Sequence, residues 1–234
     1  MGLRETKKQR TRTAIADAAL GLFLEHGFDQ VTVAEVARHA GVSTNTVFNY
    51  FPAKEDLFFD RQAEVEDHLA ALVRDRAPAA CPVEAVRDDL LAALRRDEPA
   101  LGLHPGALRF WQVIEESPAL RAREREIGEN AEARLATALA ERPPAAPPSD
   151  HAGLPMPALL AGAVLGTHRA TLRELRRLVM AGQPPRRVRD TIASAATQAF
   201  DQLCHGLHAS PDDRASHPRH LPGQPDRTTG GRRV

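Results

Sequence analysis

The sequence predicts an all-α fold. Its 234 residues include eight Phe, one Trp and one Tyr, so the core has to be built mainly from Leu, Ala and Val. Alanine, arginine and leucine are good helix formers, and the β-branched runs that favour strands are rare. Apolar residues recur at spacings of three and four, and prolines and glycines separate the segments that carry this pattern. The length is sufficient for one large domain or two unequal ones.

The first predicted helix has a single apolar stripe and a defined end. Gly27 stands where a left-handed residue ends a helix, and Phe28 is placed to fold back on the last turn. The stripe consists of Ile15, Ala18, Ala19, Leu22 and Phe23. We therefore expect this helix to form one wall of a small N-terminal core.

Two short helices follow, joined by a glycine turn. Thr32 and Glu35 form the T-x-x-E pattern of a capping box, which opens the second helix. Gly41 supplies the turn, and Ser43 is placed to cap a third helix over residues 44–50. That helix has to end before Pro52, because proline disfavours helical geometry in the residue before it. Two short helices around a glycine turn are typical of a helix-turn-helix, whose second helix enters the DNA major groove.

Residues 10–60 resemble the N-terminal domain of the tetracycline-repressor (TetR) family of bacterial regulators. The resemblance implies a DNA-binding head, a helical body that dimerises through its last two helices, and a small-molecule effector bound within the body. It is carried by Thr32, Glu35, Val36, Ala37, Ala40, Gly41, Val42, Ser43, Thr46, Phe48, Tyr50, Phe51, Lys54, Glu55 and Leu57. Asn45 departs from the family pattern, which usually has a small residue there.

The base-reading residues are predicted from the geometry of a recognition helix, which presents its N-terminal residues to base edges. Thr44 and Asn45 are therefore candidates, and Asn49 lies one turn after Asn45 on the same face. Asparagine pairs bidentately with adenine, and apolar groups contact the thymine methyl. Val47 is assigned to this set as well, with a core position as the alternative. Phe48 and Phe51 are expected in the core of the head.

The phosphate contacts are predicted partly from the resemblance and partly from charge. The family implies that Thr32, Thr46, Tyr50 and Lys54 contact the DNA backbone, and the helix N-terminus at Thr32 offers free amides to a phosphate. Ser43, which caps the third helix, is assigned to the same set. Residues 1–12 carry five basic side chains against one Glu, although the formal net charge of the chain is zero. Arg10 and Arg12 of this basic arm complete the predicted set.

Further helices are predicted over residues 57–73, 83–96, 107–116, 117–140, 157–180 and 185–207. The helix over 117–140 is expected to be exposed along most of its length, because it carries Arg121, Arg123, Glu124, Arg125 and Glu126. The proline-rich stretch 143–157 is expected to be a loop, either a linker or a crossover above a ligand pocket. The last two helices carry small or apolar stripes suited to a four-helix dimer interface, with burial inside a monomer as the alternative. The predicted interface residues are Gly162, Gly166, Ala170, Ile192, Ala196, Ala199, Phe200 and Leu203.

These observations predict three regions: a three-helix DNA-binding head with its basic arm over residues 1–55, a helical ligand-binding and dimerisation domain over 56–208, and a disordered tail over 209–234, which is poor in apolar residues. The effector site is expected on body helices that enclose the ligand in the family. Its candidate residues are His68, Leu72, Leu90, Leu94, His104, Phe110, Trp111 and His168.

Other classes of function find little support in the sequence. No Walker loop, Rossmann glycine pattern, nucleophile elbow or H-E-x-x-H is present, so we expect neither an enzyme nor a cofactor. Cys204, His205 and His208, followed by His217 and His220, fit no zinc spacing well, and no metal site is predicted. Cys81 and Cys204 are expected to be reduced thiols of a cytoplasmic protein that lacks an export signal and a membrane span.

The sequence therefore predicts a homodimeric, ligand-responsive transcriptional repressor that binds a palindromic operator in double-stranded DNA. Two alternatives stay open: an activator, because the sign of regulation depends on operator position, and an architectural DNA-binding protein without a ligand. The architectural alternative requires a strongly basic surface, and the chain is neutral overall.

Overall fold

A computed structural model describes residues 2–77, 80–104, 106–141 and 156–208, and over these residues the fold is entirely helical. The predicted 209–234 tail and most of the predicted 143–157 loop lie outside the described residues. The helices are α1 (Leu3–His26), α2 (Val33–His39), α3 (Thr44–Tyr50), α4 (Lys54–Phe58), α5 (Gln62–Asp75), α6 (Pro82–Arg95), α7 (Ala107–Glu116), α8 (Pro118–Glu141), α9 (Met156–Met180) and α10 (Pro185–His208). A short 3-10 turn, Pro99–Leu101, precedes α7.

The head consists of α1 to α4 around an aromatic core. Phe23 of α1 is fully buried, and its ring lies 4.9 Å from that of Phe28, which folds back after Gly27 as predicted. Gly27 itself has a φ of 89°, a value that favours glycine. Ile15, Val36 and Phe51 complete the centre of this cluster.

The predicted helix over residues 57–73 is wrong in one respect, because the chain bends between α4 and α5. Phe59 turns toward the head, where its ring packs edge-on against Phe58 at 5.1 Å. The carbonyl of Asp60, freed from helical bonding, accepts a hydrogen bond of 2.6 Å from the Arg12 guanidinium. The bend therefore exchanges helical hydrogen bonds for aromatic packing and a charged donor on α1.

The body contains a second apolar cluster, formed by α5, α6, α8, α9 and α10. The prediction that α8 is exposed along most of its length is wrong, because α8 lies between α5 and α9 and buries one complete side. Its buried residues are Leu120, Ile127, Ala131, Leu135, Ala138 and Leu139. The sequence-based prediction considered only the charged residues of α8. The buried residues nevertheless recur with the period of a helix and form one apolar stripe.

The two clusters meet at α7 and the start of α8. Val113, Ile114 and Leu120 are fully buried, and they belong to the apolar cluster of the head although they follow the body helices α5 and α6 in sequence. The hydrophobic core of the head therefore extends beyond the N-terminal segment that the sequence delimits.

Candidate nucleic-acid interface

The connection between α2 and α3 is held by local hydrogen bonds. Thr32 Oγ1 accepts from the Glu35 amide at 3.2 Å, and the Thr32 amide donates to Glu35 Oε2 at 2.7 Å, which confirms the predicted capping box. These bonds from the Thr32 backbone and side chain lower the pKa of the Glu35 carboxyl. Gly41 has a φ of 68°, and the next amide, that of Val42, donates to the Ala37 carbonyl at 2.9 Å. The turn that orients α3 therefore needs a residue without a β-carbon.

The N-terminus of α3 is capped as predicted. Ser43 Oγ accepts from the Thr46 amide at 3.0 Å, and the two hydroxyl oxygens lie 2.8 Å apart. The helix ends at Phe51, which is extended with a φ of −136° before Pro52. Both ends of α3 are thus set by local chemistry.

One face of α3 is buried and the other is open. Val47 and Phe51 are 0% and 1% exposed and pack on α1 and α2, because residues four apart lie on the same side of a helix. Thr44, Asn45 and Asn49 are exposed on the opposite face. The three polar side chains predicted to read bases are thus accessible to DNA.

Two of the predictions for α3 are wrong. Val47 cannot reach a base edge in this structure, because its side chain is a fully buried part of the head core. Phe48, expected in the core, is 46% exposed beside Asn45 and Asn49. The i, i+4 relation between Val47 and the buried Phe51 was the sequence signal for the correct assignment.

The residues predicted to contact phosphates fall into two groups. Thr32, Ser43 and Arg10 are exposed, and Thr46 and Tyr50 are partly exposed, so these side chains lie at the surface of the head. The basic segment in front of them is helical from Leu3 rather than an extended arm, with Arg4, Lys7, Lys8 and Arg10 on the solvent-exposed part of α1.

Lys54 and Arg12 are engaged within the head itself. Lys54 Nζ donates to the Phe28 carbonyl at 2.6 Å and lies 4.2 Å from the centre of the Phe28 ring, and burial lowers its pKa. The Arg12 guanidinium stacks over Phe51 at 4.7 Å in addition to its bond with the Asp60 carbonyl. In this structure both cations stabilise the head.

Hydrogen bonds and aromatic contacts attach the head to α7 and α8. Arg109 Nε donates to the Leu24 carbonyl at 2.8 Å, and Ser117 Oγ donates to Asp29 Oδ1 at 2.9 Å. The rings of Phe58 and Phe110 stack with their centres 4.7 Å apart.

A largely buried ion pair adds to this attachment. Asp56 accepts from the Ala53 amide at 3.0 Å and from Arg123 of α8 at 2.7 Å. The side chains of Asp56 and Arg123 are only 12% and 22% exposed. The head is therefore docked on α8 through a charged contact as well as an apolar one.

Comparison with known proteins agrees with this arrangement. The family model described as bacterial regulatory proteins, tetR family, matches residues 15–60, which are α1 to α4 with the turn. The chain is 31% identical over 145 residues to the transcriptional regulator TcmR of Streptomyces glaucescens. That match spans 60% of this chain and 64% of the regulator, slightly less than two thirds of its length. Residues 15–60 of this chain belong to the TetR family.

Solved structures share the fold of this chain. A protein of Mesorhizobium loti MAFF303099, assigned to the same family, superimposes with a TM-score of 0.52 at 20% identity, over 85% of this chain and 96% of that one. GusR of Salmonella enterica superimposes with a TM-score of 0.53 at 17% identity, over 86% and 96% of the two chains. At these identities the likeness establishes the arrangement of helices alone.

Within the body, two of the predicted effector residues lie together. His68 Nε2 of α5 is 2.8 Å from Asp89 Oδ2 of α6, and this hydrogen bond raises the pKa of His68 and lowers that of Asp89. His168 of α9 lies close enough for both charges to act on it, and burial lowers its pKa to about 4. The sequence did not indicate Asp89, which carries no motif and lies 21 residues from its partner.

The other predicted effector residues do not join this His68–Asp89–His168 cluster. Leu90 and Leu94 are 2% and 1% exposed in the body core, against which Leu72 packs. Phe110 and Trp111 pack on the head cluster instead, and His104 is exposed in the turn before α7. The eight residues therefore belong to four places in the fold, which corrects the prediction of one pocket.

The predicted dimer residues are also divided. Ile192, Ala196 and Phe200 are 0% exposed and pack inside the body of their own chain, so the prediction that they contact a partner is wrong. Their stripe on α10 faces α6 and α9, which is the monomer alternative. Gly166 and Ala170 of α9 are exposed, whereas Gly162, Ala199 and Leu203 are partly buried.

Two features of the described residues bear on other functions. Among the described residues, no three His, Cys, Asp or Glu side chains are grouped so as to hold a metal ion. None of the described helices combines the length and apolarity needed to cross a bilayer. His217 and His220, considered with Cys204 in the sequence, lie outside the described residues.

Proposed function

We propose that this protein is a sequence-specific DNA-binding transcriptional regulator that reads its operator with Thr44, Asn45, Phe48 and Asn49. The observation that carries the proposal is the open face of α3, where these four side chains are exposed on a helix that is capped at its N-terminus and packed on α1 and α2. Residues 44, 45, 48 and 49 follow the period of one helical face. Two amides, a hydroxyl and an aromatic ring match the hydrogen-bonding edges and methyl groups of A·T pairs.

The phosphate contacts are proposed for exposed groups around this face. Thr32 lies at the N-terminus of α2, and Ser43 and Thr46 at that of α3, where the first-turn amides that the caps do not use can bind an anion. Tyr50 and Arg10 flank them at the surface. Any contribution from Lys54 and Arg12 requires them to leave the partners they have within the head, so we place them outside the main phosphate set.

A homodimer is the second part of the proposal, because one short helix reads only a few base pairs and a two-fold pair of heads reads a palindrome. The exposed side of α9 supports it. Leu159, Ala163, Gly166 and Ala170 are exposed at spacings of four, three and four, and Leu159 retains 54% of its surface. Such a stripe lets a partner helix approach closely. It replaces the buried α10 residues of the sequence-based prediction.

The effector response is the third part. We place the effector's polar group at the His68–Asp89–His168 cluster, which joins α5, α6 and α9. An uncharged imidazole beside an imidazolium–carboxylate pair offers both donors and acceptors to a small molecule. An effector that favours one packing of these helices would change the spacing of the two heads and release the operator.

These parts describe a cytoplasmic repressor without enzymatic activity, with a head over residues 1–55 and a regulatory body over 56–208. The sign of regulation depends on where the operator lies relative to the promoter, and activation is the alternative on the same chemistry.

The experiment that tests DNA reading is a genomic selection followed by a gel shift. The purified full-length protein is incubated with sheared genomic DNA, bound fragments are sequenced, and the recovered fragment is compared with a coding-region fragment of equal length. The double variant Asn45→Ala/Asn49→Ala should lose affinity for the recovered fragment only, since each bidentate base contact contributes roughly 1–3 kcal/mol. Thr137→Ala, on an exposed part of α8, is the matched control and should bind as the parent does.

The same experiment separates the competing functions. Equal affinity for both fragments would indicate an architectural protein, and unchanged binding by the double variant would contradict α3 as the reading helix. A dimer adds a second check, because substitution of Ala170 by Glu should separate the subunits and weaken operator binding while leaving the helical content unchanged.

A further inference from the structure

The two cysteines of the chain meet in the body. Cys81 and Cys204 are 123 positions apart in sequence, and their Sγ atoms lie 3.2 Å apart. Cys81 is the residue that precedes α6, and Cys204 lies in the last turns of α10. A disulfide has an S–S length of about 2.05 Å, so bond formation requires the sulfurs to approach by roughly 1 Å. The sequence interpretation of two unrelated thiols did not anticipate this contact.

The surrounding packing holds the two sulfurs in place. Arg87 of α6 forms an ion pair with Asp201 of α10 close to the thiols, and this pair sets the register of the two helices. Cys204 is a buried member of the body core, and Cys81 packs against the same core while remaining partly exposed. The sulfurs are therefore neighbours in an ordered part of the fold.

The two thiols differ in their access to solvent. Burial raises the pKa of Cys204 to about 12, so its thiol stays protonated at neutral pH and is shielded from reagents. Cys81 is the sulfur that a small oxidant reaches first. An exposed thiol backed by a buried one is the arrangement in which an oxidised sulfur is resolved within the same chain.

We propose that Cys81 and Cys204 form an oxidisable dithiol that a hydroperoxide converts to an intramolecular disulfide. In the first step Cys81 Sγ attacks the peroxide oxygen, the O–O bond breaks, and Cys81 becomes a sulfenic acid while the peroxide is reduced to an alcohol, or to water if it is hydrogen peroxide. In the second step Cys204 Sγ attacks Cys81 Sγ, the S–O bond breaks, and the hydroxide leaves as water with the Cys204 proton. The two thiols lose two electrons in total, and a dithiol reductant restores them.

The disulfide ties the start of α6 to the end of α10. It closes a loop of more than a hundred residues, which removes conformational freedom mainly from the unfolded chain. For a protein of this size we expect the melting temperature to rise by on the order of 10 °C. The chemistry of the thiol pair does not depend on the proposed DNA-binding function.

The test uses the full-length protein, reduced and freed of reductant, then treated with hydrogen peroxide. Mass spectrometry after unfolding the chain in the presence of iodoacetamide should find a chain that has lost two hydrogens, takes up no label, and yields a linked peptide containing both cysteines. Its melting temperature should exceed that of the reduced chain, and a dithiol should reverse both changes. The parent protein kept under reductant supplies the baseline.

Two single variants serve as controls. Cys81→Ser and Cys204→Ala each leave one thiol, so neither should form the linked peptide or gain thermal stability on oxidation. Cys81→Ser alters the partly exposed position and is expected to fold as the parent does. A parent chain that keeps two labelled thiols after peroxide, or is converted to a sulfinic acid or to cross-linked dimers instead of the internal disulfide, would overturn the proposal.

Discussion

Val47 and Phe48 are neighbours in α3 with opposite roles, and substituting each by alanine gives opposite phenotypes. Val47→Ala removes two methyl groups from a position that is 0% exposed. At ~0.8 kcal/mol for each buried carbon, with an added term for the cavity, the folded state should lose about 2–3 kcal/mol. The loss should appear in any measurement of stability, with or without DNA.

Phe48→Ala should instead affect binding. The residue is 46% exposed, and an aromatic side chain buries about 150–250 Å² when covered, so roughly 70–115 Å² is open to a partner. At ~25 cal/mol per Å² the operator can gain at most about 2–3 kcal/mol per head from covering this ring, which corresponds to roughly 30- to 100-fold in affinity. The stability of the free protein should change by less than about 1 kcal/mol, because alanine is the better helix former.

Urea denaturation gives the stability of each variant, and fluorescence anisotropy with a labelled fragment from the genomic selection gives the affinity. Measuring both at several salt concentrations separates the apolar contact of Phe48 from phosphate contacts, since only the latter steepen the salt dependence. A Phe48→Ala protein that unfolds more easily than Val47→Ala while binding DNA normally would refute the assignment of the two faces of α3.

Three further predictions concern stability. Arg123→Ala should cost about 2 kcal/mol in urea denaturation by leaving a buried carboxylate without its partner, whereas Arg121→Ala, at an exposed position of the same helix, should cost almost nothing. Gly102→Ala should lower the melting temperature, because Gly102 has a φ of 68° and an added β-carbon would lie 2.7 Å from the indole nitrogen of Trp111. In Gly166→Ala the added β-carbon meets no atom within 4 Å, so this substitution should slightly raise the melting temperature of the isolated chain. Burial lowers the pKa of His168 from 6.5 to about 4, so between these pH values the unfolded chain takes up a proton that the folded chain does not. The free energy of unfolding should therefore fall as the pH drops from 6.5 toward 4, by at most ~3 kcal/mol. His168→Gln should flatten that part of the profile of urea midpoint against pH.

The head was predictable because its determinants are local. The Thr32–Glu35 box, the glycine turn and the Ser43 cap each involve residues within a few positions, and each lies where the sequence placed it. The helices from α6 onward were likewise bounded by prolines, to within one or two residues. The positions where a helix begins and ends are largely determined by the residues at its own termini.

The choice of partner for each helix face was not predictable in the same way. The Ile192–Ala196–Phe200 stripe on α10 is equally suitable for a second subunit and for the body of its own chain, and only the packed fold decides between them. The bend between α4 and α5 depends on Arg12, 48 residues earlier in the sequence, which donates a hydrogen bond to the Asp60 carbonyl. His68 and Asp89, or the two cysteines, become neighbours only when their helices pack.

The position of α7 decides which parts of the molecule move together. Val113 and Ile114 are fully buried in the head cluster, and separating the head from them would expose two large side chains at about 1.5–3 kcal/mol each. On its other side α7 is held by Arg176 of α9, which pairs with Glu115 at 2.9 Å and stacks over Trp111 at 4.7 Å. The apolar side is the stronger attachment, because Glu115 of the ion pair is 49% exposed and a pair open to solvent on one side contributes little. We therefore expect α7 to move together with the head when the packing of α9 changes, so the boundary between the moving parts of this chain lies between α7 and α9 rather than at residue 55.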